Sequence, residues 1–420
     1  LVVDVEKDLM DNQTYNLSKP ENENLTAEDE HLTRITRRVM HIDQTMWGRS
    51  KDKYLVRYQG RLLKSAAEAY QELSQALEGM QVTPIFREEN GKHAVYLKRG
   101  LFKSKKGKSW IHIALFLATF LSMLFAGLIT TYTGPLTTNL KVIWNYIKPE
   151  LGGALAFTFS LLGILTAHEF GHYFMARHHK TKVTLPYFIP FPFSPFGTMG
   201  AFIRLQEPPK NKRSLLDIGI AGPLAGLIIA IPVLILGLSL SPVEPLPQPL
   251  PRGEFFFEGN SILYLFLKYI VHGQWLPNPA SFQGLHPIWY WVRYFFTGTP
   301  LPQGGVDVSI HPVAWAGWAG LLVTALNLLP AGQLDGGHLI YGLLGEKAKK
   351  LRPYILGVLF VLGFFWSGWW LWAFLILIFG RTQAEPLDQI TKLDPKRKLL
   401  ARLGLIIFIL VFTPVPLVSV

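Results

Sequence analysis

Six apolar runs, at about 110–133, 151–176, 215–240, 308–330, 353–380 and 399–420, each come near or exceed the roughly 20 residues a helix needs to cross a bilayer. Inside hydrocarbon every backbone N–H and C=O must be satisfied within the protein, so runs of this length are expected to be helices. The hydrophobic share is 49% and the mean hydropathy is +0.24. These residues are concentrated in the runs, a distribution that a soluble core does not require. The formal net charge of +12 sits mainly at the ends of the runs, as topology determinants do, and no nucleic-acid partner is expected from it. The expected fold class is a polytopic α-helical membrane protein of about six to seven transmembrane helices. It also carries a membrane-associated β-hairpin or loop and a small N-terminal soluble α/β domain.

Residues 1–33 are rich in polar residues over 12–30 and read as a disordered tail, with too little apolar surface to offset ordering entropy. Residues 34–100 read as a small cytoplasmic α/β domain, with extended segments at 54–58, 82–86 and 93–97 and a helix at 64–77. The first hundred residues are polar and show no cleavable signal peptide; since the chain begins at Leu1 rather than Met, targeting is not read from them. The remainder, 110–420, forms the membrane-embedded domain, with its core at 150–345.

Basic clusters at 98–108, 177–182, 210–213, 347–352 and 392–402 all fall on one side if the N-terminal domain is cytoplasmic and 353–380 folds back near Ser367 and Gly368 as two short spans. Residues 242–306, rich in Pro, Gly and aromatics and carrying Glu258 and Lys268, read as an external loop with interfacial amphipathic pieces. Segment 183–205 contains Pro186, Pro190, Pro192 and Pro195 and cannot be a regular helix; a membrane-associated loop or β-hairpin is expected.

Chemistry enters at His168-Glu169-Phe170-Gly171-His172, which follows 17 residues without a charge. Histidines at i and i+4 project from one helix face and can converge on one ion, with Glu169 placed to take a proton from water at that ion. Ionisable groups at membrane depth are costly and point to function. Cysteine is absent, so zinc would have to be held by His, Asp or Glu. Two residues compete as third ligand. His178 has the spacing of a soluble metzincin's third histidine, but Met175 stands where that motif turns on Gly, and its neighbours Arg177, His179 and Lys180 suggest a solvated flank. Asp335, in the broken segment 327–338, is the only carboxylate between Asp307 and Glu346 and is favoured. Its competing role is the N-cap of a short following helix at 338–344.

These motifs resemble the site-2 protease family of intramembrane metalloproteases, with a transmembrane HExxH and a distant NxxPxxxLDGG. Segments 197–204, 217–226 and 311–330 extend the resemblance over about 150–345. It implies that His168, His172 and Asp335 are Zn2+ ligands, that Glu169 is the catalytic base, and that Asn327 assists at the substrate or the oxyanion. From the residues alone, Asn327 reads equally as an amide bonding to the broken backbone before Pro330. The implied activity is zinc-dependent cleavage of the transmembrane segments of membrane-protein substrates, near the cytoplasmic side of a bacterial-type plasma membrane or a thylakoid or plastid membrane. The N-terminal domain and basic stretch point to the plastid and cyanobacterial branch. No PDZ-like module is seen, and the sequence does not define the oligomeric state. Residues 198–205 are a candidate edge for holding an unwound substrate, or a loop that only packs over the site; 221–226 reads as a close helix-packing stretch. Two other readings remain. One is an HExxH membrane protease acting on soluble or membrane-surface substrates, with Glu385 as third ligand; the other is a metal or proton transporter.

Overall fold

The computed structural model describes residues 26–48, 52–100, 102, 108–135, 137–250, 256–380 and 385–419. Most of the expected tail, 1–25, lies outside them, but Thr26 is no longer tail. Its hydroxyl and the Asp29 carboxylate cap each other's backbone N–H, starting helix α1 (Ala27–Arg37), which buries Leu32 and Ile35. The polar composition of this stretch concealed an amphipathic helix.

Strands β1 (Met40–Trp47), β2 (Val56–Leu62), β3 (Val82–Glu89) and β4 (Lys92–Arg99) form an antiparallel sheet in the order β1-β2-β4-β3. Helix α2 (Ala66–Leu77) packs with α1 over a core that includes Val56, Tyr58, Leu73, Phe86 and Leu97. The outer edge of β3 is occupied by chain from far away. Phe86 N–H donates to Leu387 O at 2.9 Å, and Gln389 N–H donates to Phe86 O at 3.1 Å. The same segment turns its other side to the approach to the third long helix, Asp388 N–H donating to Lys210 O at 2.8 Å. A strand-like clip therefore ties the N-terminal unit to the membrane part.

Among the described residues three helices are long and apolar enough to cross a membrane: α3 (Ser109–Thr131), α4 (Leu140–His178) and α5 (Lys212–Ser239). Between α4 and α5, residues Tyr187–Pro190 (β5) and Thr198–Phe202 (β6) make the expected antiparallel hairpin. It is held against α3, where Ser122 Oγ donates to Gly197 O at 2.6 Å and Phe116 packs edge-on to Phe188.

Residues 243–308 contain β7 (Val243–Pro245), β8 (Phe256–Glu258), α6 (Ile262–His272), α7 (Pro287–Thr297) and β9 (Val306–Val308). The two helices expose Ile262, Phe266, Ile288 and Trp289 while burying Tyr264, Lys268 and Tyr290, the division expected of helices lying at a membrane surface.

The run 308–330 is helical over 16 residues, α8 (Pro312–Asn327), because Pro312 opens the helix and the chain turns after Asn327. At about 24 Å it is short of the roughly 30 Å hydrocarbon thickness, and it is enclosed by protein. Gly237 and Gly317 let α5 and α8 touch: a Cβ on Gly317 would stand 2.7 Å from Leu234 Cα. Around that crossing Leu161, Leu165, Leu234, Trp318 and Leu321 form the main core. After α9 (Asp335–Leu344), the run 353–380 is a helical hairpin, α10 (Arg352–Leu362) and α11 (Gly368–Phe379), turning near Ser367. Each limb extends only about 16–18 Å. Helix α12 (Pro395–Val411) follows, and β10 (Leu417–Ser419) returns to pair with β8. By length and composition, then, spans beyond α3, α4 and α5 are not established, against the six to seven expected.

Candidate metal centre

His168 and His172 lie one turn apart near the end of α4, buried and turned toward α5. What permits the approach is the small-residue stretch at 221–226. A Cβ on Gly222 would fall 2.1 Å from His172 Nε2, and one on Gly226 would fall 3.3 Å from His168 Nδ1. The close-packing role expected for this stretch therefore has a specific object, the space for the two imidazoles. Helix α5 also orients one of them, since His172 Nδ1 lies 2.7 Å from Ile218 O. An Nδ1–H donated to that carbonyl leaves the Nε2 lone pair free to bind a cation.

Asp335 reaches the same point from the turn after α8. That turn is tight: a Cβ on Gly336 would lie 2.0 Å from Leu328 O, one on Gly337 would lie 2.4 Å from Gly332 O, and Gly332 has φ +58°. The N-cap of α9 is Leu334, and Asp335 is the first helical residue, so its carboxylate is not used as the cap considered from sequence.

The three donors converge. His168 Nε2 and His172 Nε2 are 3.2 Å apart, and Asp335 Oδ2 is 3.3 Å from each. A tetrahedral ion at about 2.0–2.1 Å from its ligands holds them about 3.3 Å apart. The donor set and its spacing thus fit zinc, with a fourth position left for water. Among the described residues this is the only group of three His, Cys, Asp or Glu side chains arranged to hold a metal.

Glu169 is buried and, with Asn327, lines the cavity of about 250 Å³ onto which the donors open. Asn327 Nδ2 stands 3.2 Å from His168 Nε2, beside the donors. Ala201, Phe202 and Ile203 of the hairpin form another wall.

The structure separates the competing residues. His178 is exposed in the last turn of α4, against His179, and Glu385 is fully buried elsewhere, with Lys349 Nζ at 2.6 Å and Arg87 Nη2 at 3.7 Å. Neither belongs to the donor group. Sequence reasoning assigned nothing to Ile218, Gln333 or His338, all of which line the cavity. His338 lay inside the quoted motif; Ile218 contributes only a backbone carbonyl, which no side-chain pattern announces.

This geometry coincides with a family pattern: residues 156–365, half of the 420, match the model of peptidase family M50. The chain belongs to that family. It is the site-2 protease family that the motifs resemble, and the relatives place it on the plastid branch. The chain is 31% identical over 274 residues to the Arabidopsis thaliana protein described as "Probable zinc metalloprotease EGY1, chloroplastic", covering 64% of this chain and 44% of that protein. The Oryza sativa subsp. japonica protein of the same description is 30% identical over 310 residues, 73% of this chain and 48% of the relative. An Arabidopsis thaliana "Probable zinc metalloprotease EGY2, chloroplastic" is 29% identical over 273 residues, 64% of this chain and 43% of the relative. The chain spans less than half the length of these curated relatives. No solved structure matches it.

Proposed function

We propose that this M50 member is a zinc endopeptidase that hydrolyses peptide bonds within membrane-spanning segments of other proteins. The observation that carries the proposal is the convergence of His168, His172 and Asp335 from two helices onto one buried point beside Glu169. His168, His172 and Asp335 would hold the ion. When bound there, zinc supplies Lewis acidity that makes water a nucleophile near neutral pH and polarises the scissile carbonyl. Glu169 accepts a proton from the attacking water and returns it to the amide nitrogen as the C–N bond breaks. Asn327, next to His168, is positioned to donate its amide N–H to the substrate carbonyl oxygen.

A peptide bond in a transmembrane helix is shielded by its own hydrogen bonds, so the substrate must be unwound and its freed backbone groups must find partners. In its two-stranded sheet β6 pairs only with β5, while residues of β6 and just beyond it wall the cavity. An extended substrate added to the free side of β6 satisfies that requirement. The apolar lining from Ala201, Phe202, Ile203 and Leu205 favours a membrane segment over a soluble peptide. The proposed setting is a plastid or thylakoid type of membrane, with the N-terminal unit and the site near the cytoplasmic or equivalent side.

The test uses the purified full chain and Glu169→Gln, both assayed for bound zinc, against a transmembrane-helix substrate and a soluble unfolded peptide. The expected result is cleavage of the transmembrane substrate by the native chain alone, with a loss in Glu169→Gln of roughly 10²–10⁴-fold and zinc retained. Equal cleavage by both forms sinks the mechanism. Preference for the soluble peptide sinks the substrate class.

A further inference from the structure

On the surface where α5 and α12 begin and α9 ends, a cavity of about 470 Å³ is lined by Lys212, Lys392, Lys398 and Arg402 and by the last turn of α9, Gly342, Leu343 and Leu344. It has no acidic lining residue. Nearby basic residues behave differently: Arg397 pairs with Asp217 and Asp394, Arg213 is 4.0 Å from Asp394, and Lys349 contacts Glu346 and Glu385. The four side chains facing the cavity form no ion pair and no side-chain hydrogen bond among the described residues. They come from two segments of chain, 210–213 and 392–402, separated by up to 190 residues (212 to 402). Topology signals need only be on the correct side of the membrane. Lys212 also feels the carboxylates of Glu346, Asp388 and Glu88, whereas Lys392, Lys398 and Arg402 are exposed; convergence of four cations without an ion pair on one cavity is a further property, and like charges brought together repel.

Apolar surface adjoins the charge. On α12 the exposed residues Leu399, Leu403 and Ile406 run beside Lys398 and Arg402, offset by one position. Leu344 is exposed at the other rim. A ligand matching this footprint has a phosphate-type anion at one end and hydrocarbon at the other.

We propose that this cavity binds the phosphate headgroup of an anionic phospholipid, with the acyl chains lying along the apolar stripe of α12. Each cation near an anionic headgroup strengthens binding roughly fivefold, and the attraction weakens with salt. Because α9 starts with Asp335 and its last turn forms the cavity wall, bound lipid braces the helix that carries one donor of the metal centre.

The test uses the full chain with zinc bound, in detergent, titrated with a short-chain phosphatidylglycerol, the matching phosphatidylcholine, or inorganic phosphate alone, with thermal unfolding and native mass spectrometry as readouts. Phosphatidylglycerol is expected to raise the melting temperature and remain bound, and Lys398→Gln/Arg402→Gln is expected to weaken it on the order of tenfold to thirtyfold. Zinc content reports whether that variant is folded. If it is not, Lys392→Gln takes its place with a smaller expected loss, and Lys396→Gln, outside the lining, should bind as the native chain does. Equal response to phosphatidylcholine, or undiminished binding by a folded lining variant, overturns the proposal. A full response to inorganic phosphate alone assigns the cavity to a soluble phosphate and overturns the lipid.

Discussion

Two of the buried clusters of ionisable side chains among the described residues solve the same electrostatic problem in opposite ways. In the loop region Lys268, fully buried, puts its ammonium 3.6 Å from Glu258 and 3.9 Å from Asp307 and over the Tyr264 ring at 4.6 Å. This cluster contains its own cation. At the metal centre two imidazole nitrogens and a carboxylate oxygen face each other at 3.2–3.3 Å, with no Lys or Arg in the cavity wall. Donors of the same kind aimed at one point beside open volume call for a cation from outside, whereas a closed cluster with an internal ammonium is structural. Burial alone does not distinguish a site from a strut; the sign and aim of the groups do.

Removing one member of each cluster gives the sharpest contrast. Asp335→Ala should release most of the zinc and lower cleavage to background, about 10³-fold or more, with little effect on unfolding of the loop region. Metal analysis beside a cleavage assay checks this. Lys268→Met should leave zinc stoichiometry unchanged and lower stability by about 3–5 kcal/mol, because two carboxylates lose their buried partner. Denaturation of the detergent-solubilised chain measures that loss. If Lys268→Met released zinc instead, the two clusters would not be independent.

A smaller effect is expected at Gly222. An added methyl would overlap His172 Nε2, so Gly222→Ala should weaken zinc binding about 10–100-fold, the range seen when ligand orientation is disturbed, and competition with a chelator reads it. The smallest effect concerns pH. Burial pushes Glu258 up to about 7, opposed by Lys268 and reinforced by Asp307. A carboxyl whose folded value exceeds its unfolded one holds its proton more tightly when folded, so stability is highest in acid and falls as pH rises from about 4.5 to about 7. Glu258→Gln should flatten that slope, as melting temperatures across the window would show.

Features set by local pattern were readable from the sequence. The i, i+4 histidines, the non-helical character of 183–205, expected as a loop or β-hairpin and found to hold the β5–β6 hairpin, and the helical turn near Ser367 follow from helix periodicity, proline placement and run length. Asp335 was legible as a candidate because a lone carboxylate in a broken apolar segment is costly, and the structure brings it to the histidines. Interactions between distant segments were not legible. Nothing local links Phe86 to Leu387, Lys268 to Asp307, or His179 to Asp217 and Arg397. Helix α1 was hidden by its polar face, and run length alone does not establish the six to seven spans expected, because apolar runs also serve helices such as α8 that are enclosed by protein.

The central claim is a zinc site assembled from His168 and His172 on one helix and Asp335 on another, and X-ray absorption at the zinc edge of the purified chain tests it most directly. Two imidazole nitrogens and one or two light oxygen donors at about 2.0–2.1 Å are expected, with the spectrum lost or reorganised in Asp335→Ala. Three or more imidazoles in the native chain, or a native-like spectrum in Asp335→Ala, would contradict it.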